Sequence, residues 1–127
     1  MIEIKNNPLG GTGFDAVHIF ETWKLVFITS AEQYGELKRF KRHNLTDEVF
    51  ILIRGSATLY TLDEEYSLLR TEMLPELAYV VKKATWHHLS VSGDALIAVV
   101  ENSNTSRENT EDLTVSEWRK IKERKEC

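Results

Sequence analysis

A histidine and a glutamate, His43 and Glu48, are separated by four residues in the stretch KRHNLTDEVFILIRG, residues 41–55. Imidazole nitrogens and carboxylate oxygens are ligands of divalent first-row metals, and imidazole also exchanges protons near neutral pH. An apolar run follows Glu48 and ends at Gly55, where a strand is expected to stop. The spacing fits the rim of a metal site, and it fits equally well a charged loop that leads into a buried strand.

A further histidine, His87, lies in a segment whose inner face can be inferred from its alternation. Side chains alternate along a strand, so in WHHLSV, His87 shares a face with Leu89 and Val91. His88 shares the opposite face with Trp86 and a serine. The first face is the more apolar one, which predicts that His87 points into the protein. No role is predicted for His88.

Two cations accompany His43 along its own segment, ELKRFKRH. By the same alternation, Arg39, Lys41 and His43 share one face. If His43 faces a cavity, both cations line its wall or rim, and such a pocket suits a carboxylate, a phosphate or another polar oxyanion. The alternative is a solvated edge strand, on which lysines also oppose aggregation.

The segments that must position these residues are mostly strands. Runs rich in β-branched and aromatic residues recur from about residue 14 to 102, and RGS (54–56) is expected as a hairpin turn, with SGD (92–94) as a second turn. FILI and IAVV are apolar on both faces, so their strands are expected to be central and covered on both sides. NNPLGGTG, residues 6–13, is expected as a loop. The pattern predicts an all-β sandwich or barrel.

The last part of the chain changes character. Residues 103–113 are polar and are expected to form an exposed connector, and about 114–125 are expected to form a helix. Thr114 and Glu117 have the spacing of a capping box. An apolar stripe that includes Trp118 could dock on the outside of the barrel. With 127 residues, the chain is expected to form one domain.

The stretch from Gly35 to Gly55 resembles the first conserved motif of the cupins. In that family a glycine is followed after five residues by His-x-His, then by a glutamate, and six residues later by a glycine. His43 and Glu48 stand at the positions of the second histidine and the glutamate. Lys41 stands where the first histidine would be, and every other element is present.

The second cupin motif is matched only at His87. Where the family has two glycines, a proline and an asparagine, this chain has Glu76, Ala84, Lys82 and Val91. The resemblance implies a small single-domain cupin with an all-β fold, the double-stranded β-helix or jelly-roll barrel, followed here by a short C-terminal helix.

The resemblance also implies that His43, Glu48 and His87 are ligands of a divalent transition metal such as zinc, nickel, manganese or iron. The usual set has three histidines and a glutamate, but two imidazoles and a carboxylate can still form an open facial triad. Lys41 removes one ligand and adds a charge, so a weakened metal site and a site without metal are both expected alternatives. In the second case the Lys41 ammonium is expected beside Glu48, and Arg39, Lys41, His43 and His87 are expected to bind the ligand.

Composition excludes several other classes of protein. The net charge of −4 opposes non-specific binding of nucleic acid, and no apolar run is long enough to span a membrane. The chain has no CxxC pair and no phosphate-binding loop. Its one cysteine, Cys127, cannot form an internal disulfide, which fits a cytoplasmic protein.

Two functions remain open. The first is a cupin-fold protein with a pocket for a small polar or anionic molecule and no assigned activity. The alternative is a small metal-dependent or general-base enzyme of the isomerase, epimerase or dioxygenase type. A homodimer is expected, from the family and because apolar outer sheet faces need covering.

Overall fold

The computed structural model describes residues 1–5 and 11–126, so Cys127 and most of the loop predicted at 6–13 lie outside the described residues. The described chain has ten strands, and two short 3₁₀ helices lie at Glu32–Tyr34 and Arg107–Asn109. One α-helix, α1 (Val115–Glu126), follows the last strand. The strands are β1 (Phe14–Phe20), β2 (Trp23–Thr29), β3 (Arg39–His43), β4 (Glu48–Arg54), β5 (Ala57–Leu62), β6 (Leu68–Glu72), β7 (Ala78–Val81), β8 (His87–Val91), β9 (Leu96–Asn102) and β10 (Thr110–Thr114). The predicted all-β fold with a C-terminal helix is confirmed.

The strands form two five-stranded sheets in which neighbours run antiparallel. Sheet I has the order β1-β2-β9-β4-β7, and sheet II has the order β10-β3-β8-β5-β6. Most neighbours share four or more register pairs, whereas β3 and β8 share one, in which Lys41 lies opposite His87. Within the described residues, the contact between β3 and β8 is therefore the least paired part of either sheet.

The two predicted turns connect the sheets and do not close hairpins. RGS links β4 of sheet I to β5 of sheet II, and SGD links β8 of sheet II to β9 of sheet I. The hairpin prediction for RGS was wrong because β4 pairs with β7 and β9, and β5 pairs with β6 and β8, so the two strands do not pair with each other. Gly55 has φ +77°, and a Cβ atom there would lie 2.6 Å from Cα of Ala95, so glycine allows the two turns to pack together.

The main core lies between the two sheets. Its most buried large side chains are Ile28, Val26, Ile97 and Val99, all from β2 and β9 of sheet I. Central positions for β4 and β9 are confirmed, because β9 is the middle strand of sheet I and β4 is its neighbour. Coverage on both sides was wrong for the described chain, since apolar side chains on the outer face remain exposed.

A smaller apolar cluster covers the outer face of sheet II. Trp118 and Ile121 of α1 pack against a group of buried side chains that includes Phe40 and Trp86. The capping box is present: the Thr114 hydroxyl accepts from the Glu117 amide at 3.1 Å, and the Thr114 amide donates to the Glu117 carboxylate at 2.9 Å. The docking of the helix stripe on the outside of the barrel is confirmed.

The region predicted as a polar connector contains the tenth strand. β10 pairs with β3 from Thr110 opposite His43 to Thr114 opposite Arg39. Leu113 is the one buried apolar side chain of this strand, so the sequence carried no alternating apolar signal. Among the described residues, no helix has the length and apolar character needed to cross a membrane.

Candidate metal and ligand site

A cavity of about 680 Å³ opens between the two sheets. This volume lies in the range of small-molecule sites. Sheet II contributes side chains of β3 and β8 to its wall, and sheet I contributes side chains of β2, β4 and β9. The described chain therefore holds a pocket inside the barrel that is large enough for a small molecule.

His43, Glu48 and His87 converge in this cavity. Glu48 Oε1 lies 3.4 Å from Nε2 of His43 and 3.1 Å from Nε2 of His87, and one ligand atom of each residue falls within 4.8 Å of the others. The segment between β3 and β4 crosses from sheet II to sheet I and brings His43 and Glu48 face to face. His87 comes from β8, the neighbour of β3, and is buried as its alternation predicted.

Backbone and hydroxyl contacts orient the two imidazoles. Nδ1 of His87 lies 2.9 Å from the Thr85 carbonyl oxygen, which only accepts, so this nitrogen carries a proton. Nδ1 of His43 lies 2.9 Å from the Thr110 hydroxyl. Both Nε2 atoms are therefore directed at Glu48, in the arrangement that commonly orients metal-bound histidines.

The contact between His87 and Glu48 requires a cation. With a proton on Nδ1, neutral His87 presents the lone pair of Nε2 to a carboxylate oxygen 3.1 Å away, and two lone pairs at that distance repel. Glu48 Oε1 is also buried and, unless one of the two Nε2 atoms carries a proton, has no hydrogen-bond donor. Either a proton on Nε2 or a metal ion between the residues removes both problems, so this donor set fits a divalent metal.

The same contacts shift two pKa values. Burial raises the pKa of Glu48, but the hydrogen bonds and charges of His43 and His87 outweigh it and lower the pKa well below its ordinary value. Burial lowers the pKa of His87, but the hydrogen bond and charge of Glu48 outweigh burial and raise it. In the absence of metal, the site therefore favours a carboxylate beside an imidazolium.

Lys41 and Arg39 lie at the cavity mouth. The Lys41 ammonium is 3.9 Å from Asp112 and its side chain is 55% exposed, and the Arg39 guanidinium is 4.0 Å from the same carboxylate. The described residues include no ion pair between Lys41 and Glu48. The expectation that Lys41 neutralises Glu48 was wrong, because the two histidines do so and Asp112, on the unpredicted strand β10, draws the ammonium outward.

Sequence reasoning missed a second charged pair, Lys24 and Glu101, which faces the cavity from sheet I. The Lys24 ammonium lies 3.6 Å from Glu101 Oε1. Burial and, after it, the charge of the neighbouring Glu48 raise the pKa of Glu101 to about 8, although Lys24 opposes the shift. A signal was available, since Glu101 continues the inward alternation of Ile97 and Val99.

A tyrosine of the cavity wall was also missed. Tyr34 lies in a 3₁₀ helix, which has no periodicity to read, and burial with the charges of Glu48 and Glu101 raises its pKa. The next carbonyl, of Gly35, accepts hydrogen bonds from His88 at 3.0 Å and from a serine hydroxyl at 2.7 Å. His88, to which no role was given, thus holds the segment that carries Tyr34.

Solved structures resemble this chain across most of its length. A cupin-2 domain protein from Shewanella frigidimarina is 19% identical with a TM-score of 0.56, and covers 70% of this chain and 78% of its own. Streptomyces Pac13, described as a nucleoside dehydratase, is 10% identical with a TM-score of 0.59, over 87% of this chain and 84% of its own. The chain has a cupin fold. A further cupin-fold neighbour, the TDP-fucose-3,4-ketoisomerase WlaRA from Campylobacter jejuni, is 14% identical with a TM-score of 0.58, over 84% of this chain and 76% of its own.

Sequence comparison adds nothing to this structural likeness, because no family model and no curated protein matches the chain. In the cupin barrel, the stretch from Gly35 to Gly55 spans β3 and β4, and His87 begins β8. The residues singled out by the cupin resemblance therefore meet at one place in the fold. Neighbours with different activities share this fold, so the fold does not assign an activity.

Proposed function

We propose that this cupin-fold chain binds a small anionic molecule inside its barrel, next to a divalent metal held by His43, Glu48 and His87. The observation that carries the proposal is the 3.1 Å contact between Nε2 of His87 and Oε1 of Glu48, with the other nitrogen of His87 already donating to a carbonyl. A metal ion satisfies both atoms, and two imidazoles with one carboxylate suit zinc, nickel, manganese or iron. When bound, such a metal polarises and orients an oxygen of the ligand.

The cations at the mouth support an anionic ligand. Arg39 and Lys41 line the entrance, and both share a single counter-ion, Asp112, at about the outer limit of an ion pair. One carboxylate cannot neutralise both cations, so the Arg39 and Lys41 pair itself keeps a positive charge. A guanidinium and an ammonium side by side suit a carboxylate or a phosphate.

The alternative is a small enzyme, either metal-dependent or based on proton transfer. His87 and Glu48 are buried and have shifted pKa values, which is common at catalytic centres. The structural neighbours include a dehydratase and an isomerase. For this chain, an isomerase, epimerase or dioxygenase reaction on a polar or anionic substrate is therefore a second proposal.

Metal titration tests the first proposal. Calorimetry with nickel or manganese should show one ion per chain, and Glu48→Gln should weaken its binding at least tenfold because a charged ligand is lost. His18→Gln is the matched control, since this histidine lies outside the cavity lining. Equal binding by the parent chain and Glu48→Gln would remove His43, Glu48 and His87 as the site.

We also propose a cytoplasmic homodimer in which the outer face of sheet I covers the same face of a second copy. Val80 and Val100 flank Val49 in register on this face and are 52% and 39% exposed. A face with such a row is self-complementary under a twofold axis. Sedimentation should give twice the chain mass, and Val80→Lys should give a monomer. A parent chain that sediments as a monomer would contradict this.

A further inference from the structure

The cavity wall opposite the histidines contains a carboxyl group whose hydrogen bonds the fold does not supply. The Glu101 side chain is 1% exposed, and both of its oxygens are buried without a hydrogen-bond partner. The nearest cation, Lys24, lies 3.6 Å away, beyond hydrogen-bond distance, and donates to the Thr105 carbonyl at 3.2 Å. Even a proton shared with the adjacent Glu48 would satisfy one oxygen of Glu101 and leave the other without a donor.

An unsatisfied buried carboxyl destabilises a fold, so this arrangement needs a reason other than packing. The carboxyl lines the cavity, and so does Lys24. A ligand that reaches this wall can therefore supply the missing donor.

A hydroxyl group has the chemistry that this pair requires. It donates its proton to an acceptor and accepts a hydrogen bond on its oxygen, so one hydroxyl can donate to Glu101 and accept from Lys24. A ligand carboxylate or phosphate at the same place would be repelled by the ionised carboxylate of the neighbouring Glu48. The anionic group therefore belongs at the mouth, beside Arg39 and Lys41, and the hydroxyl belongs at the inner wall.

We infer that Lys24 and Glu101 form a hydroxyl-binding subsite, and that the cavity takes a small anion bearing hydroxyl groups. For its anionic end, this inference rests on the proposed function above. The hydroxyl end rests on the unsatisfied carboxyl of Glu101 and does not depend on whether metal is bound.

Three ring compounds of similar size separate the two ends. Quinate has a carboxylate and ring hydroxyls, cyclohexanecarboxylate has the carboxylate alone, and myo-inositol has the hydroxyls alone. Each is titrated calorimetrically into the full chain in the presence of a chelator, so that metal chelation does not contribute. Quinate should bind at least tenfold more tightly than cyclohexanecarboxylate, as expected when one hydroxyl both accepts from the Lys24 ammonium and donates to Glu101.

Single substitutions show which residues cause the tighter binding of quinate. Glu101→Met should remove the preference for quinate and leave binding of cyclohexanecarboxylate unchanged, whereas Arg39→Gln should weaken both acids. Glu101→Gln keeps the shape of the side chain and one acceptor oxygen, so it should retain part of the preference for quinate. This variant replaces Glu101→Met in the test if the methionine variant does not fold. Thermal unfolding checks the fold of each variant.

The outcomes distinguish the inference from the proposed function. Equal binding of the two acids, or a quinate preference that survives Glu101→Met, would overturn the subsite and leave the anionic end intact. Binding of none of the three compounds would overturn the subsite and anion binding by the metal-free cavity, whereas the metal site is decided separately by the metal titration above. If myo-inositol binds as tightly as quinate and loses its binding in Glu101→Met, the subsite stands and the anionic end fails.

Discussion

Replacement of both Lys24 and Glu101 by methionine should make the chain more stable. The pair is buried, its charged atoms are 3.6 Å apart, and both carboxyl oxygens lack a hydrogen-bond donor. Substitution of such a pair by apolar side chains of similar volume typically raises the free energy of unfolding by about 1–4 kcal/mol. In a chain of this length, that corresponds to a rise in melting temperature of roughly 4 °C per kcal/mol.

The single variants complete the test. At a pH above the pKa of about 8 for Glu101, Lys24→Met should lower the free energy of unfolding by about 3 kcal/mol, because it leaves a buried carboxylate with no cation. Glu101→Met should cost less, since the Lys24 ammonium keeps its bond to the Thr105 carbonyl. Urea unfolding with chelator and without ligand measures all four chains. A double variant less stable than the parent chain would show that the pair contributes to folding, and the argument for a site retained for binding would fail.

Three further perturbations test other parts of the structure. The pKa of Glu101 is raised to about 8 and that of His87 is raised above 6.5, so the metal-free folded chain keeps protons that the unfolded chain releases. Its melting temperature should therefore fall as pH rises from about 6.5 to 8, and Glu101→Gln should reduce that slope; a rising curve would contradict both shifts. Lys41→His should tighten nickel binding about tenfold in calorimetry, because the change adds a ligand and removes a cation at a position opposite His87. Unchanged affinity would show that the side chain of residue 41 does not reach the metal. Trp118→Ala should cost about 3 kcal/mol in urea unfolding, and Arg119→Ala, on the exposed side of α1, should cost almost nothing; similar losses would contradict the docking of the helix.

The sequence predicted those parts of the fold in which the local pattern of residue types is strong. β4 and β9 could be predicted as strands because nearly every residue in their central runs is apolar. His87 could be predicted to point inward because its neighbours at alternate positions are apolar. The helix was predictable because Thr114 and Glu117 satisfy local hydrogen bonds that depend on spacing alone.

The rest depended on partners distant in sequence. β10 has one buried apolar side chain, so its pairing with β3 left no pattern to read, and Asp112 was therefore missed as the partner of Lys41. Glu101 was missed: a charged residue at a strand end is usually exposed, whereas this one is buried. The spacing of His43 and Glu48 gave no indication that Nδ1 of His87 would meet a carbonyl, which is what decides the chemistry of the centre.

The sparse pairing of β3 with β8 links the outside of the barrel to the geometry of the metal centre. His43 lies on β3 and His87 lies on β8, so the two histidines are on opposite sides of this sparsely paired contact. Since β8 does little to hold β3, the position of β3 depends on β10 and on the apolar cluster beneath α1. A change beneath the helix, on the outer face of sheet II, is therefore expected to alter the distance between two imidazoles that lie on the inner face.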